Sequence, residues 1–440
     1  MDFFLYLCAL NCENYKTMAN ILSLKVENFR SYKNKTTFSF EAVDTPQMEG
    51  NYHVVELNNG SKVRLLNSAV IYGANAAGKS NVIIAFAAIS AFVKISKRYD
   101  PEDVLTYEPY MFSSETRKDP IAFWIQFIVD GEIYEYHFAY TDQLFLTETL
   151  ERKSDNVLIL DRKADGRAYF NHDILPDVQD DAYLLNHLAL SELSLKAIPL
   201  IQSIYRELAS IKVYQLSEGY NRYAYTDGIA RMLHDDPDGM LTKTMKDLMS
   251  SADTGISDVI VKEEDEESYV ITPDGERIKI PKRYKLAMLH PTEDGDKIEL
   301  FAEQESTGTR TLVGAGARLF KALQRGEMVA YDEMNNALHP MLFRRLVELF
   351  NNKETNPNNA QLIVTTHDTV LIDDVLLRAD QIWFVEKMNG VSDLYSAIDF
   401  DGVSIDQPFG PWYRAGRLGG RPRLQPYTLP YVGQQEGKEK

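Results

Sequence analysis

The eight residues Gly73-Ala74-Asn75-Ala76-Ala77-Gly78-Lys79-Ser80 constrain this chain more than any other stretch. They follow an apolar run, Ser68-Ala69-Val70-Ile71-Tyr72, which reads as a buried strand. They precede an Ala-, Ile- and Phe-rich stretch that reads as a helix to about Ser96. A strand, then G-x-x-x-x-G-K-[ST], then a helix is the context in which this pattern cradles phosphate. Glycine lets the backbone wrap the phosphates with its N–H groups, and the first turn of the helix adds a favourable dipole. Lys79 is then expected to reach the β- and γ-phosphates, and the Ser80 hydroxyl to hold Mg²⁺. Gly73, Asn75, Gly78, Lys79, Ser80 and Asn81 are the candidate contacts to ATP. A chance glycine-rich turn would not come with both flanking elements.

A second constellation lies far downstream. Met328-Val329-Ala330-Tyr331-Asp332-Glu333 is an apolar strand ending in two carboxylates. Such an ending alone reads as a surface pair, but with a phosphate loop Asp332 becomes a metal-supporting group and Glu333 the group that polarises the attacking water. Asp332 follows Lys79 by 253 residues (332 − 79), which demands a large insertion between the two strands. Three pieces accompany the pair: Ser306-Thr307-Gly308-Thr309-Arg310 before a helix at 311–325, Leu338-His339-Pro340, and Gln361-Leu362-Ile363-Val364-Thr365-Thr366-His367-Asp368. Singly, the first reads equally as a helix cap and His367 as a core histidine. In this order they match a sandwich ATPase, in which two heads close around two nucleotides.

The remaining composition sets limits. Asp and Glu total 65 against 47 Lys and Arg, a net charge of −18, which weighs against a general electrostatic grip on DNA. Cys8 and Cys12 are the only cysteines, so neither a disulfide framework nor a cysteine zinc site is expected, and a reducing cytosol is the natural location. No apolar run approaches the roughly 18 residues of a membrane span. Residues 1–17 read as an upstream extension before the fresh start Met18-Ala19-Asn20. The alternation at 21–29, a strand at 36–42, a turn at Asn58-Asn59-Gly60 and a hairpin over 121–140 through Asp130-Gly131 predict an antiparallel sheet. Leu and Ile recur at helical spacing over 183–212, interrupted by Pro199, a stretch too short for a long coiled-coil arm. The acidic run Glu263–Glu267 reads as a solvated loop. Arg414, Arg417, Arg421 and Arg423 form a local cluster of charge in Gly410–Arg423, read as a tail packing on acidic neighbours or else a nucleic-acid or partner contact. His53, His137, His172, His187, His234 and His290 form no defensible ligand spacing.

The motifs LKVENFRSYKNKTTFSF, GANAAGKS, ESTGTR, AYDEMNNALHP, QLIVTTHD, RADQIWFVEK and YRAGRLGGRP resemble the ABC-type ATPase heads of the SMC, RecF and OLD group. They look most like the AAA_15-type ATPases of bacterial anti-phage and abortive-infection (PARIS- and Septu-like) systems, over roughly residues 20–424. The resemblance implies an α/β P-loop NTPase head with an antiparallel β subdomain and an inserted β/helical lobe. The expected division is an ATPase lobe at 18–180, the inserted lobe at 181–295, a second ATPase lobe at 296–424 and a tail at 425–440. It further implies that Lys79, Glu333 and His367 are catalytic, His367 as the switch histidine, that Ser80 and Asp332 hold the metal, and that Ser306, Gly308 and Arg310 contact the nucleotide of the opposite protomer. The loop Asn335–Pro340 would couple the two sites. The trans motif departs from the Ser-Gly-Gly of transporters, and Ala330-Tyr331 is less aliphatic than usual. The glutamine that normally senses the γ-phosphate is not placed by the sequence: Gln126 and Gln215 are candidates, and each reads first as a plain surface residue.

The expected function is an ATP-hydrolysing head that dimerises on ATP binding. By analogy alone it would gate a partner nuclease or toxin in response to DNA or a phage-derived trigger. The alternative is a RecF- or SMC-like clamp that binds DNA when ATP is bound. A self-contained OLD-type nuclease is disfavoured, because only about 40 residues follow Ile398.

Overall fold

A computed structural model describes residues 20–215, 222–263, 269–271, 277–279 and 282–422. The 1–17 extension, most of the acidic run, Arg423 and the 425–440 tail lie outside the described residues.

The central sheet has six strands in the order Lys212–Gln215, Met328–Asp332, Gln361–Thr366, Ser68–Gly73, Ile382–Met388 and Val391–Ser396. The first five run parallel and the last is antiparallel to its neighbour. Parallel strands are covered on both faces, which is why the sequence reads as continuous apolar runs. Ser68–Gly73 and Gln361–Thr366 are buried at every residue. Their side chains alternate between two cores: Ala69 and Ile71 face one, Val70 and Tyr72 the other.

The first core is closed by an eight-stranded antiparallel sheet that includes Ile21–Glu27, Ile121–Val129, Glu132–Tyr140 and Phe145–Arg152. The helix Lys79–Ile95 lies between the two sheets. Its Phe92 ring meets Phe138, Tyr140 and Phe145 at centroid distances of 5.9, 4.9 and 5.4 Å, and Phe86 meets Phe38 at 6.1 Å. A helix that is apolar all round has to be covered all round. Against the expectation that no segment would qualify, Lys79–Arg98 is apolar and long enough to cross a bilayer, and 89% of its apolar window lies buried inside the protein. The second core packs the helices Thr307–Arg325 and Pro340–Glu348 on the opposite face, together with an inserted lobe. That lobe carries Arg222–His234, Met240–Ser251 and a three-stranded sheet of Asp258–Glu263, Tyr284–Pro291 and Lys297–Phe301. No coiled-coil arm is present among the described residues, whose longest α-helix, Thr307–Arg325, has 19 residues.

The Asp130-Gly131 turn has φ of 50° and 76°, the two left-handed positions that favour Asp-Gly in a tight hairpin. Pro199 begins the helix Pro199–Ser210, where its missing N–H costs nothing. The chain then enters strand Lys212–Gln215, which falls within the 181–295 segment yet pairs with Met328–Asp332 in the central sheet. The helix expected at 311–325 starts at Thr307, four residues earlier.

Glu207 on Pro199–Ser210 is buried and accepts from the Asn20 backbone N–H at 3.1 Å. Burial pushes its carboxyl up from the usual 4.5 to about 8. A raised carboxyl favours the folded state while protonated, so this contribution is present below about 4.5 and is lost as pH climbs through about 8. Glu207→Gln is therefore expected to flatten the fall in stability over that window, raising Tm at pH 9 and leaving it little changed at pH 4.5. Parallel pH–Tm curves for variant and parent would remove the assignment.

Candidate functional site

The candidate residues Gln215, Asp332, Glu333 and His367 and the loop before Lys79 lie where the parallel strands end. Ser68–Gly73 runs into the loop, and Gly78, at φ 116°, turns the chain into the helix at Lys79. A Cβ on Gly78 would come within 2.5 Å of Ser392 Oγ and 2.7 Å of Ser31 Oγ, and one on Gly73 within 2.6 Å of the Val385 carbonyl oxygen. Both positions therefore require glycine for close approach. The loop is clamped from two sides. The Tyr32 hydroxyl donates to the Gly78 carbonyl at 3.1 Å, Ser392 Oγ lies 2.7 Å from Ser31 Oγ, and the Asn81 amide donates to Ser31 Oγ at 2.7 Å. The ENFRSY motif and the second strand of the 382–396 hairpin thus hold the loop in shape.

Lys79 is 5% exposed, and its ammonium donates to the carbonyls of Gly73 at 2.9 Å and Ala74 at 3.1 Å. Burial lowers its pKa, while the charges of Glu333 and Asp332 raise it, which places all three groups in one field. Asp332 is 4% exposed and accepts from the Thr365 hydroxyl at 2.5 Å and the Gln215 amide at 3.2 Å. Glu333 sits at φ 50°, a left-handed conformation costing a non-glycine residue of order 1–3 kcal/mol. Three hydrogen bonds hold it there. Its N–H donates to Thr365 Oγ1 at 2.8 Å, its carbonyl accepts from the Asn336 N–H at 2.9 Å, and its carboxylate accepts from the Asn336 amide at 2.8 Å. His367 follows the end of the neighbouring strand Gln361–Thr366 and is exposed.

Gln215 corrects the surface reading. Parallel pairing puts it opposite Asp332, and its amide reaches that carboxylate. Gln126 is elsewhere, on the antiparallel sheet, bonded to Ser23 at 3.3 Å and Glu135 at 2.8 Å. Thr365 escaped the sequence reading, and Asn336 entered it only as part of the Asn335–Pro340 loop, not as the partner of Glu333. The strand run ending in Thr365-Thr366 carried the only signal for Thr365, since a buried hydroxyl at a strand end needs a partner. Tyr331, the unusual residue before Asp332, points into the second core and accepts from Arg318 at 3.2 Å.

Ser306 is the N-cap of Thr307–Arg325, accepting from the Thr309 N–H at 3.1 Å, and it and Thr307 are exposed. This helix leads back into strand Met328–Asp332, so its first turn lies at the same edge as Asp332. A Cβ on Gly308 would stand 2.9 Å from the Ala337 carbonyl oxygen, which puts the trans motif against the Asn335–Pro340 loop. Arg310 turns back, donating to the carbonyls of Glu305 at 2.8 Å and Glu303 at 3.3 Å. In the single protomer it therefore supports the loop before the helix.

The residues fit the expected metal. A buried acid, Asp332, and the first-turn hydroxyl of Ser80 are the oxygen donors a small divalent cation takes alongside phosphate. Of the arginine cluster, Arg414 pairs with Asp373, Arg421 donates to the Arg414 carbonyl, and the Arg417 guanidinium lies 5.5 Å from the Trp412 ring centroid. Only Arg414 thus packs on an acidic neighbour, and all three described arginines are exposed. Among the described residues no group of three or more His, Cys, Asp or Glu is placed to hold a metal ion by itself.

A glycine-turned phosphate loop on a parallel sheet, with carboxylates on the next strand but one and an antiparallel sheet over the loop helix, defines a P-loop NTPase head of the ABC type. Residues 68–373 match the family described as "AAA domain, putative AbiEii toxin, Type IV TA system", and the protein belongs to that family. No curated protein sequence matches it. Among solved structures, the SMC head domain from Thermotoga maritima is similar at 15% identity and a TM-score of 0.39, over 86% of this chain and 98% of that one. The Smc head domain with an extended coiled coil, bound to the C-terminal domain of ScpA, from Pyrococcus furiosus, is similar at 14% identity and a TM-score of 0.42, over 86% and 96%.

Thr365→Val keeps shape but deprives Asp332 and the Glu333 N–H of their shared hydroxyl. It is expected to cost about 1–3 kcal/mol, measured as the shift in denaturant midpoint at unchanged m. A midpoint within about 0.3 kcal/mol of the parent would deny the bridge its role.

Proposed function

We propose that the protein is a Mg²⁺-dependent ATPase whose heads close on ATP and reopen on hydrolysis, as the switch of a bacterial abortive-infection or toxin–antitoxin system. The single observation that supports this best is the convergence of Lys79, Asp332, Glu333 and Gln215 at one end of the parallel sheet, with Ser306 and Thr307 of the trans motif exposed to solvent. Lys79 would exchange its two carbonyl partners for phosphate oxygens. Mg²⁺, held by Ser80 and Asp332, would neutralise charge on the phosphates. Glu333, fixed by Thr365 and Asn336, would orient the attacking water and take its proton. His367 would face the γ-phosphate. Ser306 and Gly308 of one head would complete the site of the other, and the Asn335–Pro340 loop, touching Gly308, would report the state of one site to its neighbour.

The family description, which names a putative AbiEii toxin and a type IV TA system, supports the toxin–antitoxin setting; control of a partner nuclease or toxin rests on analogy alone. The finer likeness to AAA_15-type anti-phage ATPases rests on the quoted motifs. The DNA-clamp reading finds less support, since Arg414 pairs with Asp373, Arg421 donates to the Arg414 carbonyl and net charge is −18.

Glu333→Gln is expected to bind ATP, to lose hydrolysis by at least about 10²-fold and to accumulate as a dimer or larger assembly, read by light scattering with ATP and Mg²⁺. A variant that binds ATP yet stays monomeric at every concentration would sink the sandwich. Complementation gives an independent test. Lys79→Ala and Ser306→Arg should each be inactive alone. Mixed, they should regain activity, because one site of the heterodimer keeps an intact loop and an intact trans motif. No recovery on mixing would place Ser306 outside the site.

A further inference from the structure

We infer that the open trough between the helices Met240–Ser251, Thr307–Arg325 and Pro340–Glu348 is a docking site for an amphipathic helix of a partner protein, apolar on one face and basic along its flanks. The inference stands apart from the nucleotide reading, because no residue lining the trough belongs to the phosphate loop, to the Asp332-Glu333 strand end or to the trans motif. The trough has a volume of about 820 Å³. Leu248, Phe320, Leu342 and Leu349 are half-buried along it, and Met240, which opens its helix, is 59% exposed. Contiguous apolar surface left open in this way marks an interaction site.

The shape suits a helix. Met240, Leu241, Thr244, Leu248 and Ser251 share one face of their helix and all line the trough, which gives it a length of about 17 Å, or three helical turns. Leu342, Arg345, Leu346 and Leu349 line it from the other wall at the same spacing. Both walls are fixed in place. Met240–Ser251 and Thr307–Arg325 meet at Gly316, where a Cβ would come within 2.6 Å of Leu248 Cδ2. The loop beside Leu349 is tied down by Asn358, whose amide donates to the carbonyls of Leu323 and Gln324, each at 3.0 Å. Charge then selects the occupant. The lining carboxylates, Asp247 and Glu354, are exposed, lie on different elements and have no ion-pair partner among the described residues. Arg345, the one lining cation, is paired with Glu348 at 3.4 Å. A helix with Leu or Ile at i, i+3, i+4 and i+7 would fill the apolar strip, and Lys or Arg on its flanks would meet Asp247 and Glu354. The chain's own start has Asp2 and no Lys or Arg before Lys16, so it lacks the basic flank.

The test is fluorescence anisotropy of two labelled model helices of about four turns, titrated with the full chain. Both carry Leu at i, i+3, i+4 and i+7; one has Lys on its flanks and the other Glu. The Lys peptide is expected to bind at least about tenfold more tightly than the Glu peptide. Asp247→Lys with Glu354→Lys should reverse that preference. Glu293→Lys with Asp294→Lys, at an exposed turn outside the trough, should leave it as in the parent. Leu342→Gln should weaken both peptides about tenfold and melt like the parent; if it does not fold, the two charge reversals decide. The proposal is overturned if neither peptide binds, if both bind alike, or if the two charge reversals act equally. It is also overturned if removing residues 1–17 tightens peptide binding, which would give the trough to the chain's own start, or if Leu342→Gln dissociates a nucleotide-free oligomer, which would give it to a second copy.

Discussion

The rest of the structure depends on the burial of one helix. Lys79–Ile95 begins at the phosphate loop and is apolar around its whole circumference, so it cannot be left against water on any side. The central parallel sheet covers one flank and the aromatic inner face of the antiparallel sheet the other. Each fully buried aromatic or aliphatic side chain contributes about 1.5–3 kcal/mol, so the clustered rings of Phe86, Phe92, Phe138 and Phe145 weld the sheets to the helix. The geometry of Lys79 and Ser80 is inherited from that packing, because a helix wedged between two sheets cannot rotate without opening both cores.

On this rigid base the reactive edge is deliberately uneven. Asp332 is buried and fully bonded, whereas Glu333, one residue later, is held in a left-handed conformation by Thr365 and Asn336. Adjacent carboxylates would otherwise point to opposite faces of a strand. The backbone reversal at Glu333 ends the strand and brings its side chain back to the edge that Asp332 and Lys79 share. Strain at one residue is what brings two neighbouring acids to one edge of the sheet.

The parts legible in the sequence were those written in contiguous residues. The strand–loop–helix around Lys79, the strand ending in Asp332-Glu333 and the Asp130-Gly131 hairpin carry local signals that tertiary contacts had no reason to override. What was not legible depends on pairing between distant segments. Lys212–Gln215 is four residues long and follows a helix whose periodicity runs into it, so nothing local marked it as the neighbour of Met328–Asp332 or gave Gln215 its place beside Asp332. Ser31 and Ser392 are ordinary hydroxyls until the fold brings them together. The Asn389-Gly390 turn, at φ of 52° and 87°, did carry a hairpin signal, and the strand after it supplies Ser392.

That serine pair joins residues 361 positions apart, and the Ile21 N–H meets Gln361 across 340. Ribosomes extend chains at about 5–20 residues per second, so the loop at 73–80 emerges many seconds before Val385 and Ser392, which shape it. Until the last strands dock, the glycine-rich segment has a sequence suited to phosphate but no frame to hold it. The shape of that loop is thus a property of the chain through residue 392, and a product of translation that stopped short of it would lack one of the two hydroxyls that clamp Gly78.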